Sequence, residues 1–384
     1  MSSPRKTPPA EKPLFRTAFV TTAMLTAALM APNAVSAAES RSYVVNWFTE
    51  AMYYGGDGVD SECPNGTNLS AIDFYRRDLL KIGHSPEKVE AALKDFPGEG
   101  GLGQPWVPLV MVRGNGKDNV YAFPETMSDP EFITASGKYG FGFNLDGKRN
   151  ENDFEDPETG ERGIDNQLFR VMGCTRTFRG MPAPARPAQP ETNWDVLRNL
   201  TTAWIITVTA ENGFDRDGPV EVKFNRALQR VTRDATGWNV QPDMTYGLDP
   251  DPRTQTVLQG RLKEGMITTE HKDVTIIGDE YVMAEFDFSD ARVRLEVERD
   301  GTLSGVIGGF MSWYPYYYRF AKQAYITEYA ASVDVPGMYH ALKKMADYDP
   351  DPETGQNRKI SAAYRIDAVP AFTMPAQTAD ASAQ

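Results

Sequence analysis

The chain has little of the chemistry that most reactions borrow. Among 384 residues there are two cysteines and three histidines. His84, His271 and His340 are far apart and belong to no HExxH or CxxCH arrangement, which excludes the usual zinc sites and c-type haem. There is no GxSxG, and the loop GNGKDN at 114–119 is not a P-loop. After residue 37 no stretch approaches about 18 consecutive apolar residues, so no membrane span is expected there. Positive charge is also scarce, with 40 Lys+Arg against 53 Asp+Glu and a net charge of −13. Residues 1–37 hold four of those basic residues and one of the acids, so the remainder stands at −16. Such a chain repels nucleic acid and anionic lipid. It suits cations, Ca²⁺ above all, or plain solubility.

What is present points first to a compartment. Arg5, Lys6, Lys12 and Arg16 make a positive leader, and Ala18 to Ala31 is an apolar stretch too short for a comfortable span. Val35-Ser36-Ala37 supplies small residues for cleavage after Ala37. The first cysteine is Cys63, too distant for a lipid anchor, and there is no twin-Arg pair. Residues 1–37 therefore read as a signal peptide, the alternative being an uncleaved anchor helix, and the expected location is periplasmic or extracellular. In an exported protein the two cysteines most simply form a disulfide, Cys63–Cys174, the alternative being two inert buried thiols.

Composition changes along the chain. Residues 38–180 are acidic, rich in Gly, Asp and Asn, and poor in periodicity. One exception is SPEKVEAALKDF, with Ser85 as N-cap, Pro86 at the first helical position and Pro97-Gly98 as a stop. Residues 181–192 are Pro-rich and read as a linker or stiff loop. Residues 193–310 carry short β-branched runs such as TAWIITVTA, PVEVKFNRA, YVMAEFDF and RVRLEVE, separated by turns. FDRDGP and ERDGT place Asp-Gly between such runs, a hairpin signal. Residues 311–372 turn helical, with Asp334 capping a helix opened by Pro336. Residues 373–384 read as a disordered tail. The expected fold is α+β, mainly β, with an antiparallel β-sandwich core flanked by helices and a loop-rich N-terminal region.

Four features offer chemistry. Acidic, Gly-rich loops hold Asp57, Asp60, Asp146, Asp153, Asp165 and Asn166, the oxygen donors that calcium takes. Neither register of the 144–157 segment fits an EF-hand, so a calcium site would be irregular, and solvated loops explain the same residues. Glu285 and Asp287 could serve paired-carboxylate hydrolysis, but alternation in AEFDF sets both on a solvent face. MSWYPYYYRF at 311–320 offers Trp313, Tyr316 and Tyr317 as a stacking platform, or as filler between sheet and helix. In GERGIDNQLFRVMGC, Asp165 is placed to cap a short helix ended by Gly173. If the cysteines pair, Asp60 and Asp165 face each other, and Arg162, Arg170 or a cation would lie between them.

GIDNQLFRVMGC, DGVDSECPNG and VDVPGMYHALKKMADYDPDPETG resemble a group of exported bacterial proteins sharing a Gly-[Ile/Val]-Asp-Asn motif ahead of a β-rich half. The resemblance implies secretion and a single-family architecture. It transfers no catalytic residue, since the group has no established activity. The leading expectation is an exported soluble protein, a non-catalytic binding or structural module of the cell envelope. Its partner would be a polymer, a protein or a small ligand, with calcium as a structural ion. The alternatives are a secreted hydrolase acting on glycan or polymer through acidic residues, and a purely structural envelope component.

Overall fold

The computed structural model describes residues 37–54, 62–98, 103–179, 188–279 and 283–375. The described strands are β1 (Glu39–Glu50), β2 (Phe154–Glu155), β3 (Arg162–Ile164), β4 (Trp204–Ala210), β5 (Gly218–Arg226), β6 (Met244–Gly247), β7 (Gln255–Lys263), β8 (Met266–Thr269), β9 (Lys272–Asp279), β10 (Met283–Val297), β11 (Leu303–Ser312), β12 (Tyr348–Pro350) and β13 (Asn357–Met374). The described helices are α1 (Ala71–Lys81), α2 (Pro86–Leu93), α3 (Val107–Met111), α4 (Gln167–Met172), α5 (Arg176–Arg179), α6 (Ala188–Leu200), α7 (Trp313–Ala321), α8 (Tyr325–Ala331) and α9 (Val335–Met345). The signal-like leader up to residue 36, Asp57 and Asp60, and the last nine residues lie outside the described residues.

Eight antiparallel strands close into a barrel in the order β1, β4, β5, β7, β8, β10, β11, β13, and β13 pairs back onto β1. Ser42 of β1 stands opposite Thr207 on one side and Ala371 on the other. The fold is mainly β, as expected, but the expected β-sandwich is corrected to a closed barrel. The physical reason is plain. Period-two alternation reports one buried face per strand, and sandwich and barrel share that property. Closure depends on β1, from the region expected to be loops, and on β13, which the sequence shows as one strand-like segment, ISAAYRIDAVPAF, at the end of the mainly helical stretch and outside the expected sandwich. Neither hairpin turns nor periodicity encode a pairing between opposite ends of the chain. The start of the acidic N-terminal region, β1, is thus part of the sheet, while β2 and β3 form a separate two-stranded sheet, and residues Ser36–Gln384 form one compact unit. α6 begins inside the Pro-rich stretch, and β13 runs two residues into the expected tail.

Local signals explain many elements. Ser85 accepts from the Lys88 N–H and Asp334 from the Gly337 N–H, each capping the helix that its proline opens. FDRDGP joins β4 to β5, and ERDGT joins β10 to β11, both as antiparallel hairpins. The described part of YVMAEFDF, from Met283 on, and RVRLEVE, read as two runs, are one strand bent at a bulge. Asp290 there has φ 53°, and the register slips between Ser289 and Arg292. The first half of β10 pairs with β9 and the second with β8. Bulges bend and twist a strand, as barrel closure requires. Glu285 and Asp287 are exposed on this strand while Phe286 and Phe288 are buried.

The core is aromatic at its centre. Phe48 stacks on Tyr364 at 4.9 Å and meets Trp204 and Phe286 edge-on, each at 5.4 Å. Such contacts add about 0.5–1.5 kcal/mol beyond burial. Outside the wall, Phe143, Phe310 and Ala363 form a separate apolar cluster. This outer cluster seats the segment that carries the candidate site. Among the described residues no helix is long and apolar enough to cross a membrane.

One buried charge assembly ties the helices together. Arg113 is fully buried and reaches Glu328 at 2.5 Å, Asp78 at 3.2 Å and Asp334 at 3.3 Å. Arg77 adds contacts to Asp78 and Asp334. Tyr121 donates to Glu328 at 2.5 Å. Three carboxylates face two guanidiniums, so one negative charge is in excess. Burial raises the Glu328 carboxyl to about 7; Arg113 pulls it down and Asp334 pushes it up. Protonation of Glu328, favoured as pH falls below about 7, relieves the excess charge.

Candidate functional site

The site grows from the Gly-Ile-Asp-Asn stretch. Gly163 has φ +82°, and a Cβ there would stand 2.4 Å from the Lys148 carbonyl oxygen, so only glycine fits. That close approach brings the 144–150 loop against β3. Asp165 follows, 4% exposed. It accepts through Oδ2 from the N–H of Leu145 at 2.7 Å and of Asp146 at 3.3 Å. It is not the helix cap. Asn166 is, accepting from the Phe169 N–H at 3.1 Å. The Asn166 amide also donates to the carbonyls of Phe141 and Ala51. An amide can cap and donate at once, which a carboxylate cannot.

Gln167 opens α4. Its main-chain N–H donates to the Ser361 hydroxyl at 3.0 Å. Ser361 donates to Asp347 Oδ2 at 2.6 Å, and its own N–H donates to Asp347 Oδ1 at 2.7 Å. The Gln167 side chain, 5% exposed, donates to the Asn152 carbonyl at 3.2 Å. These links join β3, α4, β12 and β13 around a cleft of about 430 Å³. Asp146, Asp153, Asp165 and Asp347 line it, with Gln167, Asn357, Lys148, Lys344 and Tyr348 among the other walls. Tyr348 stacks on buried Phe310 with centroids 4.0 Å apart and planes 11° apart.

The electrostatics are unusual for aspartates. Burial raises the Asp165 carboxyl to about 7, against the pull of its two backbone hydrogen bonds, and Asp153 and Asp146 add to the rise. Asp347 rises to about 6, chiefly through the protein packed around its carboxylate, although the residue itself borders solvent. The Ser361 hydrogen bonds lower it and Asp153 raises it. Carboxyls shifted toward neutrality in one cleft mark candidate functional groups.

The structure brings together Asp146, Asp153, Asp165 and Asn166 of the expected set, although Asn166 serves the backbone rather than the cleft. Among the described residues no group of three or more His, Cys, Asp or Glu side chains is placed to hold a metal ion. Cys63 and Cys174 are bonded, with Cα atoms 5.7 Å apart. Among the described residues a cation beside that bridge is Arg179, which pairs with Glu62 at 3.1 Å and donates to the Gly173 carbonyl. Arg170 instead donates to the carbonyls of Ala135 and Asn152, and Arg162 pairs with Glu155 at the surface. The aromatic platform is inverted. Trp313, Tyr316 and Tyr317 are 8%, 1% and 1% exposed and fill the core, whereas Tyr314 and Tyr318 face out. Tyr316 and Arg319 both bond buried Glu50.

Sequence reasoning missed Asp347, Gln167 and Tyr348. ADYDPDPETG reads as a polar turn, and only the hairpin it makes with β13 brings Asp347 to Ser361. A second groove of about 390 Å³ lies along β10, β11 and β13. Its charges are largely paired already. Arg294 holds Asp156 at 2.7 Å, and Arg365 holds Glu158 at 3.2 Å, strapping the β2–β3 hairpin to the barrel wall. Comparison of the chain with family models, with curated proteins and with solved structures finds no match.

Proposed function

We propose that the chain is an exported, non-catalytic binding module of the cell envelope, acting in the periplasm or outside the cell, with the acidic cleft as its ligand site. Membership of the exported Gly-[Ile/Val]-Asp-Asn group is part of the same proposal, resting on residues 163–174. The leader-like N-terminus and the disulfide support export. The observation that carries the binding reading is the placement of two buried side chains, Asp165 and Gln167, in the lining of one cleft. Its volume lies within the range of about 300–1,000 Å³ common to small-ligand sites. That size suits a small ligand, or one unit of a polymer. Calcium serves as the control ion in binding measurements.

A second reading, a glycan hydrolase, is favoured by one observation: Asp165 and Asp347 share the cleft with carboxyls raised to about 7 and 6. A carboxyl that keeps its proton near neutrality suits a general acid. The two readings separate in one assay. The protein is incubated with soluble glycans, new reducing ends are counted, and retention of the intact glycan is measured in parallel. Retention without cleavage, lost in Asp165→Asn, is expected. Cleavage abolished by Asp165→Asn would install the hydrolase instead.

A further inference from the structure

Resting on the binding reading, we infer that the cleft takes an amine-bearing sugar residue, its ammonium and hydroxyl groups donating to the cleft's oxygens and its ring lying on Tyr348. Three independent features of the site lead there.

The first is the balance of donors and acceptors. Four carboxylates line the cleft against two lysines, and Lys148 already pairs with Asp146 at 3.4 Å. A ligand matched to such walls carries positive charge and many donors.

The second is the state of the two buried side chains. Asp165 spends only Oδ2 on its backbone N–H partners, and Gln167 spends only its amide N–H. Among the described residues neither Asp165 Oδ1 nor the Gln167 amide oxygen has a hydrogen-bond partner, although the two residues are 4% and 5% exposed and line the cleft. Both oxygens are open to the cleft rather than sealed in the protein, so a donor on an entering ligand meets two free acceptors on side chains that are otherwise buried and fixed. The carboxylates do not gather at one point, which fits a polyatomic ligand with spaced donors better than a single metal ion.

The third is the wall. Tyr348, 40% exposed and backed by Phe310 at 4.0 Å, is a braced flat ring beside the carboxylates. A sugar has an apolar face to lay on such a ring and hydroxyls to point away from it. A linear polyamine has the charge without that face.

The test is titration calorimetry on the protein with a glucosamine tetramer, its N-acetylated counterpart, a glucose tetramer, spermidine and calcium chloride. Asp165→Asn, Tyr348→Ala and the unchanged protein are compared, each first shown to melt cooperatively. The glucosamine tetramer is expected to bind about tenfold or more tightly than either neutral tetramer, as loss of a charge-assisted hydrogen bond implies. Asp165→Asn and Tyr348→Ala should each weaken it. Equal binding of the neutral tetramers would overturn the amine while leaving the cleft as the binding site. Spermidine binding as tightly and unaffected by Tyr348→Ala would overturn the sugar. Calcium binding lost in Asp165→Asn, with no sugar binding, would replace the sugar by an ion. No binding by any probe, or binding indifferent to Asp165→Asn, would overturn both this inference and the binding reading.

Discussion

The Arg113 assembly and the acidic cleft both crowd carboxylates into protein, and they meet the cost in opposite ways. In the first, Asp78, Glu328 and Asp334 each reach a guanidinium, and Tyr121 donates as well. In the second, Asp165 and Asp347 are held by main-chain N–H groups and a serine hydroxyl. Among the described residues no arginine pairs with either. The first assembly is sealed between helices, and the second opens on a cavity. A paired and sealed cluster holds the fold together, and removing one partner strands a charge. An unpaired, open cluster is arranged for a partner that arrives. Proximity of acids alone says nothing about function; what distinguishes the two is whether the chain supplies the countercharge.

The largest expected effect tests the sealed side. Arg113→Ala should cost about 3–5 kcal/mol, since it leaves buried Glu328 without a guanidinium and Asp78 and Asp334 with Arg77 alone. Urea denaturation checks this, and a loss below about 1 kcal/mol would show that the assembly is not the clasp described.

The pH dependence comes next and draws on both regions. Glu328 and Asp165 have folded values raised to about 7, above their ordinary carboxylate values. A raised carboxyl favours the folded state when protonated. Its contribution is absent above the folded value and grows as pH falls toward the unfolded one. Between pH 8 and pH 5.5 each of these two buried groups should add about 2 kcal/mol. The melting temperature should therefore be higher at pH 5.5 than at pH 8. In Glu328→Gln about half of that gain should vanish. A melting temperature that falls over the same window contradicts the buried electrostatics of both regions.

Gly163→Ala sharpens the open side. Its positive φ and the 2.4 Å approach to the Lys148 carbonyl oxygen leave no room for a methyl group. A loss of about 1–3 kcal/mol is expected, with weaker ligand binding than the stability change explains. The smallest effect is that of Asp165→Asn on stability at pH 8. The amide can accept from the same backbone N–H groups, so a change within about 1 kcal/mol is expected. A large loss would mean that Asp165 is a structural acid, like those around Arg113.

Much of the frame was legible in the sequence, and the reasons are local. Ser85-Pro86 and Asp334 with Pro336 announce helices because capping is decided within one turn. The Asp-Gly pairs announce hairpins for the same reason. The disulfide followed from cysteine count and compartment. The closed barrel did not follow, because β1 and β13 pair across the whole chain and a buried face looks alike in either architecture. At the site, Asp146, Asp153 and Asp165 were visible as acids on Gly-rich loops. Asp347 was hidden just ahead of a turn sequence, DPETG at 351–355, that also occurs at 156–160; in both copies the aspartate, Asp351 or Asp156, accepts from main-chain N–H groups of its own turn, and nothing in that signal points to Asp347. The aromatic run at 311–320 left two readings open, and filler between sheet and helix is the one that holds: α7 turns Trp313, Tyr316 and Tyr317 inward and Tyr314 and Tyr318 outward, a helical phase that packing sets.

The most direct test of the open-versus-sealed distinction is residue-resolved NMR of the protein titrated with the glucosamine tetramer. Shift changes should centre on Leu145, Asp165, Gln167, Asp347 and Tyr348, with Arg113, Tyr121 and Glu328 unmoved. Changes confined to the exposed Tyr314 and Tyr318 face, or spread through the Arg113 assembly with the cleft silent, would contradict the assignment of recognition to the acidic cleft.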